Sequence, residues 1–279
     1  MIKRFIIIII ILLFIIISIV SYYYNFYFKF YRSNYNSEYY VNENISKYIK
    51  PTNVENIIKP LIQTYHNKSK IPYDVYKNIK QYAPECTHII MDDDDIKVFL
   101  KKYYTDIVYD TFISLKNGAH KADLARYCLL YIYGGIYMDI KTELIKPLRD
   151  VFIKGNDTFY TVKSIFSGTI YQGIIKAPKN YNLFLSLIDY IVKVKNPLTY
   201  LDFCRDVYIQ LESDIKDKIV KDGLNIGTRG NKYYFFREKC SSSDSSMCYD
   251  GFDQYGKCCF VWDHNTPVIK TRRSSYPWK

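Results

Sequence analysis

The stretch 118–141, Gly-Ala-His-Lys-Ala-Asp-Leu-Ala-Arg-Tyr-Cys-Leu-Leu-Tyr-Ile-Tyr-Gly-Gly-Ile-Tyr-Met-Asp-Ile-Lys, constrains this chain more than any other. Ala122, Ala125, Leu129 and Ile132 recur at helical spacing and form one apolar face. Gly134 and Gly135 end that helix, because a positive φ costs least at glycine. Residues 136–139 then read as a strand whose last residue, Asp139, carries a carboxylate. His120, Asp123 and Arg126, spaced i, i+3, i+6, form a second, ionic stripe on the same helix. By default such a stripe is a solvated face. Here small alanines between the charges let the helix approach a sheet closely, and the glycine turn brings Asp139 toward the same cleft. In open α/β sheets, ligands gather at the carboxyl ends of strands.

The flanking sequence alternates strand and helix patterns, as an α/β fold requires. Residues 57–64 read as a strand, 72–82 as a helix through Val75, Tyr76 and Ile79, and 87–91 as a second strand. Asp92, Asp93, Asp94 and Asp95 precede an i, i+3, i+4, i+7 stripe of Ile96, Phe99, Leu100 and Tyr103. Four consecutive carboxylates cannot converge on one ion, so helix capping outranks a metal cage, although one of the four can still face a ligand. Further on, residues 159–162 and 170–175 read as strands. Leu183, Phe184, Leu187, Ile188, Ile191 and Val192 mark a core helix, and Leu201, Cys204, Tyr208 and Leu211 mark another. His88 and His264 stand alone and read as core or surface residues.

The block Ala122-Asp123-Leu124-Ala125-Arg126-Tyr127, then Tyr133-Gly134-Gly135-Ile136-Tyr137-Met138-Asp139, then Lys146-Pro147-Leu148, resembles the family 32 glycosyltransferases, which carry a DXD sugar-binding motif. That family includes fungal mannosyltransferases that start outer-chain glycans and bacterial capsule enzymes. Ile62-Gln63-Thr64-Tyr65 resembles its first strand, Met91-Asp92-Asp93-Asp94 its next acidic segment, and Gly173-Ile174-Ile175-Lys176-Ala177-Pro178 a weaker later match. The resemblance implies a GT-A type (Rossmann-like) glycosyltransferase fold. Residues 57–150 would be the nucleotide-sugar half and residues 151–279 the acceptor-side half with a cysteine-containing C-terminal region. It implies transfer of a hexose from a nucleotide sugar to a glycan, glycoprotein or glycolipid, with retention of configuration. Asp123 and Arg126 would hold the hydroxyls of the donor sugar, and Asp139 would meet the ribose or, through water, a divalent ion on the diphosphate.

The chain departs from that pattern at the second motif carboxylate, which is Lys141 in Asp139-Ile140-Lys141. A departing nucleoside diphosphate needs positive charge beside it. The family implies a divalent cation, manganese in the first instance. Three readings stay open: Lys141 supplies charge to the diphosphate itself; Glu143, two residues on along an assumed strand face, joins Asp139 as metal ligand; or the protein is an inactive, membrane-tethered binder of carbohydrate or nucleotide sugar. Ile62 stands where the family often has histidine, and His66 follows nearby.

Residues 5–24 contain an uncharged run from Phe5 to Val20 extended by Ser21 and three tyrosines. Twenty helical residues span about 30 Å, a hydrocarbon core. Lys3 and Arg4 precede the run, and no small-x-small cleavage site follows it. The expectation is a signal anchor with residues 1–4 cytosolic, 25–56 as a tether, and the catalytic body lumenal or extracellular in a type II arrangement. The net charge of +11 accompanies 31 tyrosines and no nucleic-acid recognition motif, so composition alone does not argue for nucleic acid. Four of the seven cysteines, Cys240, Cys248, Cys258 and Cys259, lie near the C-terminus without a C-x-x-C pair, which favours one or two disulfides over zinc if the body meets an oxidising compartment. Asn44, Asn67 and Asn156 open glycosylation sequons.

Overall fold

The computed structural model of the chain describes residues 45–241 apart from 196 and 198, residues 258–271, and residues 10, 12–19 and 22. The chain divides into two compact units, residues 1–39 and 40–279. In the first, residues 12–19 are helical and expose large apolar side chains such as Phe14 and Ile17. Among the described residues no helix is long and apolar enough to cross a membrane, and much of the expected span at 5–24 lies outside them. The basic C-terminal residues 272–279 also lie outside them.

The second unit runs α1 (Ile45–Tyr48), β1 (Pro60–Thr64), α2 (Tyr73–Tyr82), β2 (Thr87–Met91), α3 (Asp93–Tyr103), α4 (Asp106–Ser114), α5 (Gly118–Tyr133), β3 (Gly135–Met138) and β4 (Thr142–Leu144). It continues through β5 (Thr158–Lys163), β6 (Ile170–Ala177), α6 (Leu183–Val194), α7 (Asp202–Asp214), β7 (Gly223–Ile226), β8 (Lys232–Ser241), β9 (Cys258–Asp263) and β10 (Thr266–Thr271). The expected strand at 57–64 begins only at Pro60, because Lys59 takes a left-handed φ of 45° that breaks extended backbone. Tyr48, in the stretch expected as a tether, is fully buried and donates its hydroxyl to Asp189.

The ten strands among the described residues form one sheet, ordered β2-β1-β3-β6-β5-β8-β9-β10-β4 with β7 beside β8. Strands β2, β1 and β3 are mutually parallel, whereas β3–β6 and β10–β4 pair antiparallel. Three residues separate β3 from β4 along the chain, a reach of about 14 Å. Six steps across a flat sheet would put them about 29 Å apart. The sheet must therefore curl back on itself, and the β3–β4 turn lies where it closes. Side-chain alternation sorts most of the core into two large clusters. Ile62 and Tyr137 join the helices through Leu124, Phe112 and Phe184, while Leu61, Ile136 and Met138 join Tyr160, Val162, Phe236 and Ile269 on the opposite face. With both faces covered, β1 is buried at all five positions. The disulfide Cys240–Cys259 ties β8 to β9 at register partners; Cys248 and the side chain of Cys258 lie outside the described residues.

Candidate active site

Helix α5 is capped at its start by Asn117, whose side chain accepts the Ala119 amide at 2.9 Å, and at its end by Gly134 with φ 66°. Gly135 follows at φ 88°, and a Cβ there would lie 2.3 Å from the Pro60 carbonyl oxygen, so β3 can start beside β1 only with glycine in this place. The predicted glycine stop is thus present. The acidic run behaves as expected too. Asp92 caps α3 in a reciprocal box with Asp95, while Asp93 turns toward the site.

A cavity of about 470 Å³ opens at the carboxyl ends of β1 and β3. Asp123, Arg126, Asp139 and Lys141 all line it, together with Lys121, Asp93 and His66. The ionic stripe of α5 is therefore no solvated face: Asp123 and Arg126 are buried at 6% and 4% exposure. Buried charges persist only when paired and hydrogen-bonded. Arg126 meets that condition with its whole fork. Its Nε donates to the Ala122 carbonyl at 3.1 Å and Nη1 to the Gln172 carbonyl at 2.7 Å. Nη1 also lies 3.3 Å from Asp123 Oδ1, and Nη2 donates to Asp139 Oδ1 at 3.3 Å. The guanidinium stacks 4.7 Å from the centre of the Tyr137 ring, whose hydroxyl donates to the same Asp139 oxygen at 3.0 Å.

Electrostatics follow from this geometry. Burial, with the Asp139 charge nearby, outweighs the pull of Arg126 and pushes the Asp123 carboxyl up to about 7. Burial opposes the charge on Arg126, but Tyr137, Asp139 and Asp123 together hold the guanidinium protonated, well above its ordinary value. The Asp139 main chain is fixed as well: its amide donates to Gly173 at 2.8 Å, and its carbonyl accepts Gln63 Nε2 at 3.4 Å. Gln63 is held in turn by His88 Nε2 at 2.8 Å, which gives His88 a supporting place behind the site. A Cβ on Gly173 would fall 2.8 Å from Asp139 Oδ2 and closer still to Tyr171, so the carboxylate needs glycine across the sheet.

Glu143 is where the expectation from strand alternation fails. β3 stops at Met138, and a turn over Ile140 and Lys141, closed by the Thr142 amide and hydroxyl on the Asp139 carbonyl (2.9 and 2.6 Å), resets the side-chain phase. Asp139 and Lys141 face the cavity, whereas Glu143 lies on β4 in register with Lys270 and does not line it. His120, third member of the stripe, also turns away, packing its ring against Phe203 at 4.9 Å. Tyr137, Gln172, Gly173, Lys121 and Asp93 were not assigned as site residues from sequence. Gly173 inside an otherwise apolar strand pattern was the one usable signal among them.

Glycosyltransferases with a DXD motif generally use a divalent cation and a nucleotide-sugar donor. The donor set here does not fit a cation held between the two motif positions. Lysine replaces the second carboxylate, Asp139 Oδ1 is already shared by Arg126 and Tyr137, and Glu143 is elsewhere. Like charges a few ångströms apart oppose each other by about 4 kcal/mol per unit pair near a protein surface, and a divalent ion doubles that. Among the described residues the one cluster of three potential ligand groups is Glu238, Cys240 and Cys259, whose two thiols are joined in the disulfide.

Comparison with known proteins agrees with this geometry. Residues 68–159 match the family described as a glycosyltransferase sugar-binding region containing a DXD motif. An uncharacterised glycosyltransferase of Acanthamoeba polyphaga mimivirus is 32% identical over 149 residues, covering 50% of this chain and 55% of that protein. The initiation-specific alpha-1,6-mannosyltransferase of Saccharomyces cerevisiae is 39% identical over 69 residues, 24% of this chain and 14% of the yeast protein. The chain thus spans about half the length of the first relative and far less of the second. Among solved structures, the PaToxG glycosyltransferase aligns with a TM-score of 0.42 at 18% identity, over 56% of this chain and 69% of that one, a likeness too slight to argue from. The resemblance carried by the Asp123–Asp139 block is borne out: residues 68–159, which include it, are similar to the sugar-binding region of DXD-motif glycosyltransferases.

Proposed function

We propose that this protein is a membrane-anchored glycosyltransferase of GT-A type that moves a hexose from a nucleotide sugar to a glycan, glycoprotein or glycolipid, with retention of configuration. One observation carries the reading: Arg126 lies between Asp123 and Asp139 on the wall of a single cavity at the strand ends. Those carboxylates accept sugar or ribose hydroxyls, and the guanidinium keeps both oriented as the anomeric bond opens. The yeast relative's name describes an alpha-1,6-mannosyltransferase, which makes mannose the first donor sugar to try.

Donor identity is tested on the full-length chain in detergent, by thermal shift and hydrolysis with UDP-glucose, UDP-galactose, UDP-N-acetylglucosamine and GDP-mannose. One donor should raise the melting temperature and be hydrolysed, and Asp139→Asn should lower that turnover at least 100-fold. Unchanged turnover in the variant removes Asp139 from the mechanism. Binding without hydrolysis or transfer would instead favour an inactive nucleotide-sugar binder, the alternative that Lys141 keeps in play.

Placement of the body in a lumenal or extracellular compartment is part of the same proposal. It is supported by the Cys240–Cys259 pairing, since disulfides persist in oxidising compartments, and by the apolar run at residues 5–24. Protease protection of the body in intact microsomes is the expected result.

A further inference from the structure

We propose that the Lys141 ammonium, and not a divalent cation, neutralises the nucleoside diphosphate of the donor, so that donor binding is independent of added metal. This inference rests on the transferase reading above and adds how its leaving group is handled.

Three observations carry it. First, Lys141 and Asp139 line the same cavity from one tight turn. That turn is stiff, since two bonds from Thr142 close it and Ile140 at its centre is buried against Ile71 and Val75. A stiff turn fixes the backbone from which the Lys141 side chain reaches the cavity, so little backbone reorganisation is needed when charge develops on the leaving group. Second, Asp139 Oδ1 already accepts from Arg126 and Tyr137, which makes that oxygen a poor partner for a cation. Third, Lys121 also lines the cavity, 3.8 Å from Asp93, adding a second ammonium to the lining. The turn also explains why Glu143 cannot stand in for the missing carboxylate: it belongs to β4, opposite Lys270.

The step balances without a metal. The acceptor hydroxyl oxygen forms its bond to the anomeric carbon as the bond from that carbon to the phosphate oxygen breaks. The electron pair of the broken bond stays on the phosphate oxygen beside Lys141, and the released diphosphate takes up the hydroxyl proton. Lysine is a compact, strongly hydrated point charge with three donors, suited to this oxygen cluster.

The test uses the full-length chain in detergent, titrated with UDP and with GDP by calorimetry, once in EDTA and once in manganese chloride. Hydrolysis of the four sugar nucleotides is followed under both conditions. For the nucleotide that binds more tightly, Kd should change less than threefold on chelation. Lys141→Gln should weaken it at least tenfold in EDTA, Lys141→Arg should restore it to within threefold, and Lys141→Asp should bind only with manganese. The arginine variant guards against misfolding as an explanation, because it keeps the charge in the same turn. Loss of binding on chelation of the unaltered protein overturns the proposal, as does a Lys141→Gln variant that binds normally. Hydrolysis that requires manganese would leave the transferase reading standing and remove the lysine. Metal-free nucleotide binding without hydrolysis of any donor would keep the lysine and remove transfer. Failure of both nucleotides to bind under either condition removes both.

Discussion

Asp123 and Arg126 show how much one buried pair decides at the scale of single residues. Because the folded protein holds the Asp123 carboxyl up near 7, against an ordinary value near 4, folding favours the protonated acid. The sign follows directly: the folded state binds more protons than the unfolded one between about pH 4 and pH 7. Asp123 therefore contributes stability below pH 4 that is lost as pH rises through 7. Melting curves of the unaltered protein and Asp123→Asn across pH 4–8 should converge at the acidic end and separate toward neutrality, with the asparagine variant less pH-dependent. Burial of Asp123 is the main cause of this shift, with Asp139 adding to it and Arg126 opposing it, so the effect should be visible even in high salt, where exposed pairs are screened. Arg126→Gln leaves Asp139 and Asp123 without their buried cation. A stability loss of about 3–5 kcal/mol is expected in denaturant titration. Arg126→Lys keeps the charge but loses the planar fork that reaches the Ala122 and Gln172 carbonyls and both acids, so turnover should fall while the fold survives.

The element that positions the site is the helix–glycine–strand unit of α5 and β3. Its glycines can be read from sequence because only glycine takes these backbone angles cheaply, and their spacing sets the entry of β3. Gly135→Ala places a Cβ 2.3 Å from the Pro60 carbonyl oxygen at a φ of 88°. A cost above about 2 kcal/mol is expected, with β3 displaced from β1 and donor binding lost together with stability. Circular dichroism melts paired with nucleotide titration would check both. The turn after β3 was not legible in the same way. Nothing in Asp139-Ile140-Lys141-Thr142-Glu143 contains glycine, proline or asparagine, and period-two reasoning carried the strand straight through it. The bonds that close the turn come from Thr142, and β4 is drawn away because it pairs with β10, more than 120 residues along the chain. The acidic run before α3 went the other way, since a capping box is a local arrangement and sequence spacing suffices to anticipate it.

At the scale of the molecule, one curled sheet takes strands from both sequence halves, so the cavity is finished by residues far apart in the chain, from Thr64 to Cys204. The Cys240–Cys259 bridge ties the strands that carry this closure, across a separation of 19 residues. Replacing both cysteines by serine should lower stability by about 3 kcal/mol, seen as a drop in melting temperature, and the intact protein should yield the linked peptide in non-reducing mass spectrometry. What the sequence determined by itself is local and periodic: the α/β alternation, the apolar face of α5, its glycine stop, the aspartate cap of α3, and the membership of Asp123, Arg126 and Asp139 in one motif. These depend on backbone angles and spacings that neighbours in sequence set. The tertiary structure alone decided that Asp123 and Arg126 are buried, that Gln172 and Gly173 hold Arg126 and Asp139 from another strand, that Lys141 faces the cavity, and that Glu143 does not. Those facts depend on sheet register and closure, where pairings between distant strands choose which face each side chain takes.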